Sequence, residues 1–368
     1  MRVNRELPYY MAFSVFPGIG PVRFKLLVSY FGSAEAAWTA SASDVRATGI
    51  GERIAASFLE FRRTFDIEQY MKQVNALHVH CLMCTDPRYP ALLQEIPDAP
   101  FLLYVLGKRT DTPIHMDKTI AVVGTRKVTP YGAAVTQKLV TELVDAGCAI
   151  VSGMAYGVDA IAHETAMAAG GKTIAVLGCG IDIIAPPSNA RLYHAIADGG
   201  GAVVSEMPLG LRPNKGLFPA RNRIISGLSL GVLVTEGADD SGALITARNA
   251  AEQGRDVFAV PGPITSPYSK GPSRLLKQGA TLVESAEDIM EELGLQASPA
   301  GLNRTMQQTQ GETLEEQKIL TVLYGGQQPI DMIVRMTGLT MSAVAATLTV
   351  LEIRGIVKDY GEKVYGLT

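Results

Sequence analysis

Four cysteines and one tryptophan among 368 residues, no long apolar run and no excess of either charge set the first limits on this chain. So few thiols exclude a disulfide scaffold and agree with a reducing compartment. Arg2, Arg5 and Glu6 stand ahead of Pro8 with no apolar core between them, which excludes a secretory signal, and no stretch of about eighteen apolar residues exists to span a bilayer. Together these absences predict a cytoplasmic protein without a membrane span. With 33 Lys and Arg against 36 Asp and Glu, and a pI near 6.0, the chain has no general basic coat. Any contact with nucleic acid must therefore be local. By segment the balance is +2 over 1–80, −3 over 81–308 and −2 over 309–368, so the C-terminal part is the least suited to a phosphate backbone.

What is present is the composition of a globular chain, 47% hydrophobic and 19% charged, at a length that holds two or three domains. Two short turns, Pro17-Gly18-Ile19-Gly20 and Thr48-Gly49-Ile50-Gly51, lie between helix-like stretches and predict a small all-α unit over 1–75 built on a helical repeat. Glycine permits the tight bend, and backbone N–H groups at such a turn are a natural phosphate contact, with Arg23, Lys25 and Arg53 following. The same turn is equally a good way of joining two helices.

From residue 118 apolar runs alternate with helical periodicity. Strands are predicted at Thr119–Val123, Ala149–Ser152, Thr173–Leu177, Ala202–Ser205, Gly231–Thr235 and Val257–Val260, with helices near Tyr131–Ala146, Asp159–Ala169 and Ala243–Gln253. Continuous rather than alternating apolar strands mean burial on both faces, hence an α/β domain with a doubly wound, mostly parallel sheet over 76–295. Residues 78–107 are expected to add a strand and a loop in which Pro87, Pro90, Pro97 and Pro100 break any helix. A Gln-, Ser- and Thr-rich linker follows over 296–311. Over 312–368, helices at Glu312–Tyr324, Pro329–Thr337 and Thr340–Arg354 and a hairpin around Tyr360-Gly361 predict a winged helix. Its third helix, starting Met341-Ser342-Ala343-Val344-Ala345, lacks cations that could read base edges, which favours docking over groove reading.

In an open parallel sheet, ligands gather at the carboxyl ends of the strands. There the chain places Gly124-Thr125-Arg126, Ser152-Gly153-Met154-Ala155-Tyr156-Gly157 and Gly178-Cys179-Gly180. Glycines admit a phosphate to the backbone, Thr125 and Ser152 supply hydroxyls, Arg126 a fixed charge, and the following helices aim their N-termini at an anion. Phe218-Pro219-Ala220-Arg221-Asn222-Arg223 adds one aromatic, an amide and two arginines, with Lys215 three residues ahead of the ring. Cations beside a stacking face read as a groove for single-stranded nucleic acid; a core Phe218 with arginines on a solvated helix face is the alternative.

Several chemistries find little support. Neither G-x-G-x-x-G with its acidic partner nor GxxxxGK[ST] occurs. Asp159 and His163 share a helix face near Ser152, but no nucleophile elbow surrounds that serine. Cys81 and Cys84, with His78 and His80, resemble half a zinc site that lacks a second ligand pair. Glu206, Glu236, Asp239 and Asp240 follow different strands with no motif to hold Mg²⁺. No catalytic set, cofactor or metal is expected.

Val123-Gly124-Thr125-Arg126, the Ser152–His163 run, Phe218–Gly227, Ser241–Ala247 and Gly254–Gly262, in that order, resemble the DprA (DNA-processing protein A, Smf) family of bacterial transformation along essentially the whole length. The resemblance implies an extended Rossmann domain that binds single-stranded DNA, between a sterile-alpha-motif-like N-terminal domain and a C-terminal winged helix. It implies a non-enzymatic role, protecting incoming strands and loading the RecA recombinase, usually as a homodimer. Carried over, Gly124, Thr125 and Arg126, with Ser152 and Gly153, would hold phosphate; Lys215 would pair with the backbone, Phe218 would stack, and Arg221 and Arg223 match the family motif. Asp239-Asp240 departs from the neutral or basic residues expected beside a DNA groove. A nucleotide-binding hydrolase using the same strand ends is the competing reading, although the P-G-G-x-G-T run of such enzymes is absent.

Overall fold

The protein is described by a computed structural model over residues 5–108, 116–214, 216–296, 313–323, 326–361 and 363–367. Lys215, and the expected linker beyond Gln296, fall outside these residues. The described chain divides into one unit within Met1–Ala297 and a second within Ser298–Thr368.

The first unit is built on nine strands: β1 (His80–Met83), β2 (Leu102–Leu106), β3 (Thr119–Val123), β4 (Ala149–Ser152), β5 (Thr173–Val176), β6 (Gly201–Ser205), β7 (Gly231–Val234), β8 (Asp256–Ala259) and β9 (Thr281–Leu282). They lie in the order β1-β2-β6-β5-β4-β3-β7-β8-β9. Strands β3 to β9 are parallel, whereas β1 and β2 pair antiparallel with each other and β2 with β6. The predicted strands from 118 onward are found within a residue or so at each end. Residues 78–107 supply two strands rather than one, and a one-turn helix, Ala91–Gln94, begins directly after Pro90. Proline breaks a helix interior but is tolerated at its start, which is why the pattern of prolines gave no hint of that turn.

Helices Pro130–Asp145, Val158–Ala168, Leu217–Gly227 and Ala243–Glu252 cover the sheet. The fully buried Val122, Ile150 and Leu233 pack with Leu139, Leu143 and Ala162 on one face, and Ala121, Val151 and Val232 with Ile224 and Ala247 on the other. Runs with no polar alternation are thus buried on both sides, as the continuous strand pattern requires. From β3 the chain winds outward through β4, β5 and β6, then returns to the other side of β3 for β7, β8 and β9. The reversal opens a crevice at the carboxyl ends of β3 and β7.

The N-terminal helices do not stand apart from this sheet. Phe13, Phe24, Trp38 and Phe58 share an apolar core with Phe101, Tyr104 and Leu177, and the Phe24 ring stacks on Phe101 at 4.0 Å. A buried hydroxyl chain reinforces the joint. Tyr104 in β2 lies 2.6 Å from Ser14 Oγ and 2.9 Å from the Tyr70 hydroxyl, which accepts the Leu209 N–H at 3.0 Å. Tyr104→Phe should cost about 1–2 kcal/mol by leaving that chain unclosed. In urea unfolding the midpoint should fall at unchanged slope, and an unshifted midpoint would mean the network is energetically idle.

In the second unit helices Leu314–Leu323, Ile330–Thr337 and Met341–Ile353 enclose Ile319, Leu323, Ile333, Val344, Leu348 and Val357. Strands β10 (Gln328–Pro329), β11 (Val357–Asp359) and β12 (Val364–Leu367) form a sheet in the order β10-β12-β11. This is the predicted winged helix, with a short extra strand ahead of its second helix. Thr340 caps the third helix by accepting the Ala343 N–H at 3.3 Å. Among the described residues no single helix is long and apolar enough to cross a membrane.

Candidate nucleic-acid interface

At the crevice between β3 and β7 lies a cleft of about 680 Å³. Gly124, Thr125, Arg126 and Lys127 form one wall, Phe218, Arg221 and Asn222 another, and Asp240, Ser241, Gly242 and Ile245 a third. Each wall follows from a local rule. The loop after β3 is pinned by the Thr125 N–H, which donates to the Glu236 carbonyl at 2.7 Å, and by the Thr125 carbonyl, which accepts the Val158 N–H at 3.2 Å. Thus anchored at both sides, the loop leaves Arg126 and Lys127 exposed with no carboxylate partner among the described ion pairs. The second wall is a helix that begins at Leu217, so Phe218 sits in its first turn and points across the cleft. The Arg126 guanidinium lies 5.3 Å from the half-buried Phe218 ring centre, a cation–π pair at the cleft mouth.

The three arginines play different parts. Arg221 is 4% exposed; its guanidinium donates to the Gly153 and Val176 carbonyls, and its Nε to Asn222 Oδ1 at 3.2 Å. Beneath it Asp159 is buried and accepts the Ala155 N–H at 3.3 Å. Burial pushes the Asp159 carboxyl up, against the opposing charge of Arg221 and the peptide N–H groups of Ala155 and Gly153. Arg221 therefore ties β4, β5 and its own helix together at the cleft floor. Arg223 turns to the opposite side of the helix, where its Nε meets Asp98 at 3.1 Å and its Nη2 meets Glu206 at 2.5 Å. Neither arginine is a free cation for phosphate as expected, nor on a solvated helix face as the alternative had it, since in each case protein acceptors hold the charge.

Other expected contacts also move. Ser152 is fully buried and its hydroxyl donates to the Val122 carbonyl at 2.6 Å, so it braces β3 against β4 instead of facing a phosphate. Gly153 is required by Arg221, because a Cβ there would come within 2.4 Å of the guanidinium. Gly157, at φ +75°, would drive a Cβ to 2.4 Å from the Thr125 carbonyl, and Gly124 to 2.6 Å from Val158. These glycines let protein segments approach one another beneath the cleft. Gly124, Thr125, Arg126, Phe218, Arg221 and Asn222 are brought together; Ser152, Gly153 and Gly157 lie behind them, and Arg223 is turned away.

The acidic residues and histidine have structural occupations. Glu236 steadies Thr129, the N-cap of the helix Pro130–Asp145, by accepting its N–H at 3.0 Å and its hydroxyl at 2.6 Å, and Asp239 pairs with Arg274 at 2.9 Å. His163 is fully buried with Nδ1 2.6 Å from Thr173 Oγ1, and burial lowers its pKa to about 3. A neutral imidazole engaged there is not a base for Ser152. Among the described residues no group of three or more His, Cys, Asp and Glu is placed to hold a metal. Lys127, Ile245 and Tyr268 also line the cleft and were not singled out from sequence. The motif containing Ser241-Gly242 was the available pointer to Ile245, whereas Tyr268 arrives from the loop after β8 with no sequence signal.

A Rossmann-like sheet whose switch-point crevice carries exposed cations beside an aromatic ring, joined in one chain to a winged helix, defines a nucleic-acid-processing architecture. Comparison with known families gives the particular one. Residues 80–294 match the family profile of DNA recombination-mediator protein A, and residues 303–360 match that of the DprA winged helix domain. The chain belongs to the DprA family of DNA-processing recombination mediators. It is 36% identical to protein Smf of Synechocystis, with 97% of each chain covered. It is also 44% identical to DNA processing protein DprA of Streptococcus pneumoniae over 56% of this chain and 72% of that one. The X-ray structure of the pneumococcal protein superposes with a TM-score of 0.69 at 36% identity, covering 79% of this chain and 99% of that one. DNA processing protein A of Helicobacter pylori, solved for its single-stranded DNA binding mode, superposes with a TM-score of 0.52 at 32% identity over 59% of this chain and 97% of that one.

Proposed function

We propose that this protein binds single-stranded DNA in the β3–β7 cleft, protects it, and loads the RecA recombinase onto it, acting without catalysis and as a homodimer in the cytoplasm. The observation that carries the reading is Arg126 held over the Phe218 ring at the cleft mouth. A cation for the backbone and a face for a base stand side by side, the pairing a flexible single strand can satisfy. Gly124, Thr125, Lys127 and Asn222 complete the contact surface, Lys215 adds a backbone contact, and Arg221 with Gly153 and Ser152 stiffens the floor. The exposed Met341, Val350 and Ile353 on the third helix of the winged unit suit protein docking better than groove reading.

Anisotropy titration across salt tests the binding. Oligothymidine should bind with log K falling by about 0.7 per phosphate neutralised for each decade of salt, and clearly more tightly than a duplex of equal length. Tighter duplex binding, or affinity insensitive to salt, would overturn the reading.

A further inference from the structure

The loop after β4 borders the cleft at Ala155 and is fixed along its length. The Ala155 N–H donates to the buried Asp159 carboxylate at 3.3 Å, and Asn189 Nδ2 donates to the Met154 and Ala155 carbonyls at 3.0 and 3.4 Å. Gly157 lies so close to the loop after β3 that a Cβ there would come within 2.4 Å of the Thr125 carbonyl oxygen and 2.9 Å of the Arg126 carbonyl carbon. Met154 is fully buried at φ +60°, a left-handed conformation that a residue with a side chain seldom adopts and that its surroundings must hold in place.

This loop displays one side chain. Tyr156 is the only exposed residue between Val151 and Ala160, and it is 50% exposed. Among the described residues no aromatic ring, cation or hydrogen bond engages its ring or its hydroxyl. A ring carried on backbone that folding has already ordered offers a stacking face at little further entropic cost. Arg126 joins this face to the other one. Its main chain packs against Gly157, directly beside Tyr156, while its guanidinium lies 5.3 Å from the Phe218 ring centre. A phosphate on Arg126 therefore lies between the two rings. Adjacent nucleotides share one phosphate, so a strand with a base on Phe218 carries the neighbouring base toward Tyr156.

We propose that Tyr156 is a second stacking residue, receiving the base next to the one on Phe218, across the phosphate held by Arg126. Every base has a π-face, so this position adds affinity without base preference. The inference rests on the single-strand reading above and lengthens its contact by one nucleotide.

Anisotropy with oligothymidine, and photo-cross-linking with the same strand carrying 5-iododeoxyuridine, which joins to an aromatic ring stacked on it, test the inference. Tyr156→Leu keeps an apolar side chain but has no flat face. It should bind about tenfold more weakly at an unchanged salt slope, because no phosphate contact is lost. Tyr156→Phe should bind as the wild type does, and both variants should melt with the wild type. Irradiation should give adducts at Phe218 and Tyr156 in the wild type and at Phe218 alone in Tyr156→Leu. Wild-type affinity in Tyr156→Leu, an equal loss in Tyr156→Phe, or an adduct at Phe218 with none at Tyr156 would overturn the second stacking position and leave the single-strand reading standing. Failure of the wild type to bind oligothymidine would overturn both.

Discussion

Arg221→Ala is expected to destabilise the protein by about 3–5 kcal/mol, a fall in Tm of roughly 10 °C, while Arg126→Ala leaves Tm nearly unchanged. The contrast follows from where each charge is held. Arg221 is buried, hydrogen-bonded to carbonyls at the ends of two strands, and sits over a buried Asp159. Its removal leaves those carbonyls unsatisfied and the Asp159 carboxylate without its counter-charge, and an uncompensated buried charge is among the few single changes this costly. Arg126 is exposed, and its guanidinium rests only on the face of the half-buried Phe218 ring among the described contacts. Gly153→Ala should mimic the first effect in milder form, since the new methyl meets the guanidinium at 2.4 Å. Calorimetry of the three variants decides the matter: a stable Arg221→Ala protein would remove this arginine from the scaffold and return it to the ligand-facing surface.

The same pair shows how far the sequence could be read. Continuous apolar runs and the glycines between them located β3 to β8 to within a residue or so, because burial on both faces leaves no polar alternation to confuse the pattern, whereas the two-residue parallel β9 was missed. The cleft position followed from the rule for strand ends, and Arg126 and Phe218 fell where that rule pointed. What stayed hidden was direction. Arg221 and Arg223 are two apart, and on a helix that spacing sends them to different sides, one toward β4 and β5 and the other toward Asp98 and Glu206. Nothing local in Phe218–Arg223 reveals that both find fixed acceptors from segments distant in the chain. Ser152 misled for the same reason, since a hydroxyl at a strand end faces ligand or neighbouring strand according to pleat and register. The packing of the N-terminal helices through Tyr104 and Phe101 is likewise a tertiary fact with no periodic signature.

Phe218→Ala should weaken single-strand binding by about 1–3 kcal/mol, a loss of roughly five- to 150-fold, with folding intact. The ring is already partly covered, so part of the mutational cost falls on packing beside Gly178, where an added Cβ would meet the ring at 3.3 Å. Phe218→Trp separates the two contributions, since a larger stacking face should preserve or improve binding even if packing is mildly disturbed. Arg126→Ala should instead lower the salt slope by about 0.7, the signature of one phosphate fewer neutralised. Because the guanidinium lies on the ring, the two substitutions share a partner and their effects should not add. The double variant should lose less than the sum, by about 0.5–1 kcal/mol, the strength of an exposed cation–π pair. Strict additivity would mean that Arg126 and Phe218 meet different parts of the strand. An unchanged affinity in Phe218→Ala would assign the ring to the core and leave the cleft with cations alone, a surface that would no longer distinguish a single strand from a duplex.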